Sequence, residues 1–119
     1  MRVLVVLILL TALVFPSGQA PASPPSDTTT ADLQTQAAQG VAEAQNNLGG
    51  LYEFGHGVKQ DSVRAYMWYN VAASLSTNDP QKDVAAENRD EIAGGMTFAQ
   101  IAEAKRLTQQ CLARKFKGC

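Results

Sequence analysis

From Ala37 to Tyr52 the small and apolar residues Ala37, Gly40, Ala44, Leu48, Leu51 and Tyr52 recur in steps of three and four, the spacing of one helical face. Glycines at Gly55 and Gly57 interrupt the pattern, and Val63, Met67, Tyr69, Ala72 and Ala73 resume it. Two short helices around a Gly-rich turn make an αα-hairpin. A hairpin of this size cannot bury both faces alone, so the flanking segments must cap it. Upstream, Ala31 to Gln39 has helical propensity and Gly40 suits a C-terminal cap. Downstream, Asp79-Pro80 opens a further helix with Asp as N-cap and Pro at the first helical position, and Val84, Ala85, Asn88 and Ile92 form its inner face. Gly94-Gly95 stops it. Thr97 and Gln100 then form a capping box for a last helix from Phe98 to about Arg114. Its inner stripe is Ile101, Ala104 or Lys105, Leu107 or Thr108, Cys111 and Leu112. The fold class is all-α, with four to five helices.

Within the hairpin, Asp61 or Ser62 is the N-cap of the second helix, and Val58 plugs the turn. Gly49 and Gly50 each cost about 1 kcal/mol against Ala inside a helix, which implies a neighbouring helix crossing closely there. Tyr66, Trp68 and Tyr69 stand too close together to share one helical face.

The set Ala37, Gly40, Ala44-Gln45, Leu48-Gly49, Leu51-Tyr52, Gly55, Gly57-Val58, Asp61, Ala65, Trp68-Tyr69 and Ala72-Ala73 resembles one Sel-one-like repeat. That family is a cousin of the tetratricopeptide repeats, with a hairpin about every 35 to 40 residues. The resemblance covers the repeat 37–73. Residues 79–115 resemble a degenerate second repeat or a capping hairpin, without the Leu-Gly and Trp-Tyr positions of the first. It implies a short α-solenoid of antiparallel hairpins that mediates protein–protein contacts, with no catalytic residues to transfer. It also implies that Trp68 is buried against the adjacent helix, which leaves Tyr66 as the exposed aromatic. Solenoids bind on concave faces. The solvent side of the first repeat helix therefore supplies a partner-binding set: Asn46, Asn47, Gly50, Glu53 and Phe54, with Tyr66 at the edge. Gln45 belongs to the same solvent side. So short a groove suits a peptide or one helix of a partner, and a homodimer fits the sequence equally.

The N-terminus changes the compartment. Arg2 precedes a 13-residue run, Val3 to Phe15, that falls short of the roughly 20 apolar residues of a membrane span. Small residues follow at Ser17, Gly18, Ala20 and Ala22. This is a secretory signal peptide over residues 1–22, cleaved after Ala22 or after Ala20; an uncleaved anchor is the alternative. No cysteine follows the run, so no lipid anchor is expected. Residues 23–30 carry prolines and no large apolar group and read as a disordered tether, leaving a domain over residues 31–119. The mature chain is periplasmic or secreted. Its net charge moves from −1 to about −2 when Arg2 is lost, which gives no basic face for nucleic acid.

An even pair of cysteines, Cys111 and Cys119, in an exported chain points to a disulfide. The tail KFKGC would have to turn back for the pair to meet; a bridge between chains, or two free thiols, are the alternatives. Lys105, Arg106, Arg114, Lys115 and Lys117 make the last stretch basic, suited to the dipole of a helix C-terminus or to an anionic partner.

Catalytic and metal-binding patterns are absent. There is one histidine, His56, and two cysteines eight apart, which is not a ligand set for zinc. No G-x-S-x-G elbow and no Gly-rich phosphate loop occur. No cofactor is expected. Two further readings stand beside the interaction module. One is a small cell-wall or β-lactam-related hydrolase, whose base or nucleophile would fall to His56, Glu53 or Asp61. The other is a structural protein that self-associates.

Overall fold

A computed structural model describes residues 28–119. The proposed signal peptide, residues 1–22, and most of the tether lie outside the described residues. Among the described residues five helices follow in order: α1 (Thr30–Ala38), α2 (Ala42–Phe54), α3 (Ser62–Ala73), α4 (Gln81–Ala93) and α5 (Phe98–Ala113). The fold is an all-α helical repeat. Among the described residues no helix is long and apolar enough to cross a membrane.

Local signals set the helix ends. Thr29 and Asp32 form a capping box that starts α1, so the last residues assigned to the tether belong to the folded unit. Gly55 closes α2 in the left-handed conformation, φ 69°, where a side chain would be strained. Asp61, rather than Ser62, caps α3 by accepting the Arg64 N–H at 3.0 Å. Asp79 accepts the Gln81 N–H at 2.9 Å, while Pro80 occupies the N-cap and not the first helical position. Thr97 and Gln100 make the expected capping box on α5.

The hairpin α2–α3 is the centre of the molecule. α3 packs against α2, α4 and α5, and α1 packs on α2. The core joins Leu33 and Ala37 of α1, Ala44 and Leu48 of α2, Met67, Trp68 and Val71 of α3, and Cys111 of α5. On α4 only Ala85 of the expected stripe is buried, and Val84 is exposed.

Two exposure expectations are corrected here. Tyr66 is 5% exposed, and Trp68 and Tyr69 are buried with it. The one-face rule fails because α3 has neighbours on nearly every side, and a surrounded helix is apolar all round. Gln45 and Asn46 are buried too, because α2 is covered by α1 and α4 as well as by α3. Gln45 donates to the Ala37 carbonyl across the α1–α2 corner at 3.0 Å.

Cys111 and Cys119 are bridged within the chain, with Cα atoms 5.4 Å apart. The tail turns through left-handed Lys115 and Phe116, φ 50° and 69°. This reversal lays Phe116 over Gly40 and lets Lys117 Nζ donate to the Ala38 carbonyl at 2.9 Å. Among the basic residues, Lys117 thus neutralises the C-terminal end of α1, and Arg106 pairs with Glu103 at 2.6 Å.

Candidate functional site

The candidate site is a groove of about 550 Å³ along α2, walled by α4 and by the start of α1. Its existence begins with Gly49. The Tyr69 ring of α3 lies across α2 at that point, and a Cβ on Gly49 would sit well inside 3.0 Å of Cδ1 and Cε1 of the ring. The missing side chain lets the phenol pass through to the groove floor beside Gly50. There the Tyr69 hydroxyl donates to Glu53 Oε2 at 2.6 Å. Burial first, then the hydrogen bond and negative charge of Glu53 and the charge of Glu91, push the Tyr69 phenol well above its ordinary 10.0, so it is a fixed donor.

Beside this pair, Asn88 Nδ2 of α4 donates to Asn46 Oδ1 of α2 at 3.0 Å. The bond leaves a donor, Asn46 Nδ2, and an acceptor, Asn88 Oδ1, without partners among the described residues, both on groove-lining side chains. Asn46 is only 9% exposed, yet its Nδ2 stays accessible to solvent on the groove side. Phe54 lies at the far end, 65% exposed, with its ring centroid 6.0 Å from that of His56. Among the described residues the lining carries two carboxylates, Glu53 and Glu91, and neither lysine nor arginine.

The groove gathers Asn46, Asn47, Gly50, Glu53 and Phe54 from the partner-binding set and leaves out Tyr66, which is enclosed in the core. Sequence reasoning missed Tyr69, Asn88 and Glu91. Asn88 and Glu91 are three residues apart on α4, and an asparagine on an otherwise apolar stripe was the available signal. The three residues weighed for hydrolysis do not converge. Glu53 and His56 share the groove, while Asp61 caps α3 and lines a separate depression around Val58 and Arg64. Among the described residues no group of three His, Cys, Asp or Glu side chains is arranged to hold a metal ion.

The family model for the Sel1 repeat matches residues 42–76, the α2–α3 hairpin and the turn after it. A crystal structure of a protective antigen present in uropathogenic Escherichia coli strains, displaying an SLR fold, superposes with a TM-score of 0.66 at 30% identity. The chain is a Sel1-like repeat protein. The superposition covers 72% of this Sel1-like chain and 18% of that antigen, so the chain spans under a fifth of the length of the structure it resembles. No curated protein matches the chain. In Sel1-repeat terms α2 and α3 are the two helices of the matched repeat, and the groove lies on the α2 side of it.

Proposed function

We propose that this Sel1-like protein is an exported, non-enzymatic adaptor whose α2–α4 groove binds a peptide segment of a partner protein. The observation that carries the reading is the groove itself: Asn46, Asn47, Gly50, Glu53 and Phe54, spread over about two turns of α2, open onto one concave surface. Stacked helices bind extended or helical segments on such surfaces. Export rests on the leader pattern of residues 1–22 and on the Cys111–Cys119 bridge, a bond that oxidising compartments sustain.

The test is to pan a displayed library of short random peptides on the oxidised mature chain and, in parallel, on Phe54→Ala and Asn47→Ala variants. These positions are exposed, so both variants keep the fold. Peptides enriched on the wild type and lost on the variants support the groove. Enrichment that ignores both substitutions moves the interface elsewhere, and no enrichment removes the peptide-binding reading.

A further inference from the structure

We propose that the segment bound in the groove is extended and cationic: a Lys or Arg whose side chain enters between Glu53 and Glu91, with an aliphatic or aromatic residue two positions away against Phe54. The inference rests on the peptide-binding reading above and specifies its ligand.

Three observations point to this chemistry. Asn46 Nδ2 and Asn88 Oδ1 are a donor and an acceptor that the single hydrogen bond between the two amides leaves over. A peptide unit offers the matching carbonyl and amide, and an extended strand leaves those groups free where a helix consumes them. Asn46 Nδ2 reaches solvent although its residue is nine-tenths buried, so it is open to a ligand carbonyl.

Charge supplies the second observation. Glu53 and Glu91 both act on the Tyr69 hydroxyl, so their fields meet at the groove floor. Tyr69 engages only Oε2 of Glu53, leaving Oε1 to accept from a ligand. Among the described residues no lysine or arginine lines the groove to neutralise the pair. A ligand carboxylate would meet repulsion there; an ammonium or guanidinium forms charge-assisted bonds.

The third is the exposed Phe54 ring at the groove end. In an extended strand, residues two apart point to the same side, about 6.6 to 6.8 Å apart. One side chain then meets the carboxylates while the next on that side covers Phe54. The basic tail of a second copy does not suit this role, since its Phe116 is laid over Gly40 and its Lys117 is bonded to Ala38.

The experiment uses the oxidised mature chain with ¹⁵N labelling and synthetic peptides built on the sequences enriched in panning, each prepared with Arg, Lys, Gln or Glu at the basic position. Panning that enriches nothing overturns the peptide-binding reading and this inference with it. The Arg and Lys peptides are expected to bind roughly tenfold or more tighter than the Gln peptide, and to shift the amide signals of Asn46, Gly50 and Asn88. The advantage should shrink near about 1 M salt, where the Debye length falls to about 3 Å. It should vanish in the Glu53→Gln/Glu91→Gln double variant; the single Glu91→Gln, at an exposed position, should halve the effect or more without touching the Tyr69 bond. Peptides that shift these amides but bind equally well with Gln or Glu overturn the cationic ligand and leave the groove reading standing. Peptides that shift no groove amide overturn both. Groove signals that move with protein concentration alone assign the surface to self-association and overturn both as well.

Discussion

Gly49 and Gly50 are adjacent in α2, yet replacing each by alanine should change stability in opposite directions. Both gain about 1 kcal/mol of helix propensity on substitution, because alanine loses less backbone entropy than glycine. At Gly49 the new methyl meets the Tyr69 ring so closely that the ring has to retreat by about 1 Å to reach ordinary contact. Tyr69 has no slack: it is 2% exposed and its hydroxyl is fixed to Glu53. Overpacking of this kind costs about 1–3 kcal/mol, and weakening a hydrogen bond to a charged acceptor adds about 1.5–3 kcal/mol. After the propensity gain, Gly49→Ala should lose about 1.5–5 kcal/mol. At Gly50 the methyl would find only the Tyr69 hydroxyl at 3.7 Å, an ordinary contact, so Gly50→Ala should gain up to about 1 kcal/mol. Thermal unfolding of the oxidised chain reads the difference directly, since about 1 kcal/mol moves Tm by roughly 4–8 °C in a domain of this size. Equal losses at both positions, or no loss at Gly49, would refute the account of how α3 crosses α2.

Reducing the Cys111–Cys119 bridge, or Cys119→Ser, should cost about 2.5 kcal/mol on the chain-entropy account of so short a loop; urea unfolding with and without reductant measures it. The same reduction should red-shift the emission of Trp68, the single tryptophan, because Phe116 and Cys119 line a cavity of about 300 Å³ beside it. Thr97→Ala should lose about 1 kcal/mol and fray the start of α5, seen as faster amide exchange over the first turn. Thr29 donors hold the Asp32 carboxyl below its ordinary 3.8, so the α1 capping box is intact at neutral pH and above 3.8, and opens as pH falls through that lowered value. An NMR titration of the Thr29 and Asp32 amides should show it, and Asp32→Asn should abolish the transition.

Helix order, caps and the hairpin were legible because their signals are local. Thr97 with Gln100, Asp61, and Gly55 act within one turn of chain, and each does in three dimensions what its residue type allows. Burial was legible only where a helix has one covered side. The reasoning that set Tyr66, Gln45 and Asn46 toward solvent assumed a single apolar stripe, and α2 and α3 are each packed from several directions. For the groove, the α2 residues were visible because they share a face along one helix. Tyr69, Asn88 and Glu91 were not, since they reach it from α3 and α4 and depend on how those helices stack. The two glycines show the same divide. Propensity marked both as costly, but only the position of the Tyr69 ring separates the one that admits a neighbour from the one that floors the groove.

The C-terminal tail explains how so short an array holds its shape. Stacked repeats lend each other buried surface, and terminal ones lack a neighbour on one side. Here α1 rests mainly on α2, and α5 reaches the rest of the chain chiefly through α3. The tail joins these separated ends: Cys119 ties it back to α5, Phe116 covers the α1–α2 corner at Gly40, and Lys117 satisfies a carbonyl at the end of α1. A single covalent link between α5 and the tail therefore fixes the position of α1, four helices away in sequence order. Because Leu33 of α1 also lines the groove, the same link helps hold one groove wall in place. Reduction should consequently loosen peptide binding as well as stability, and a groove whose amide signals stay unchanged on reduction would break that connection.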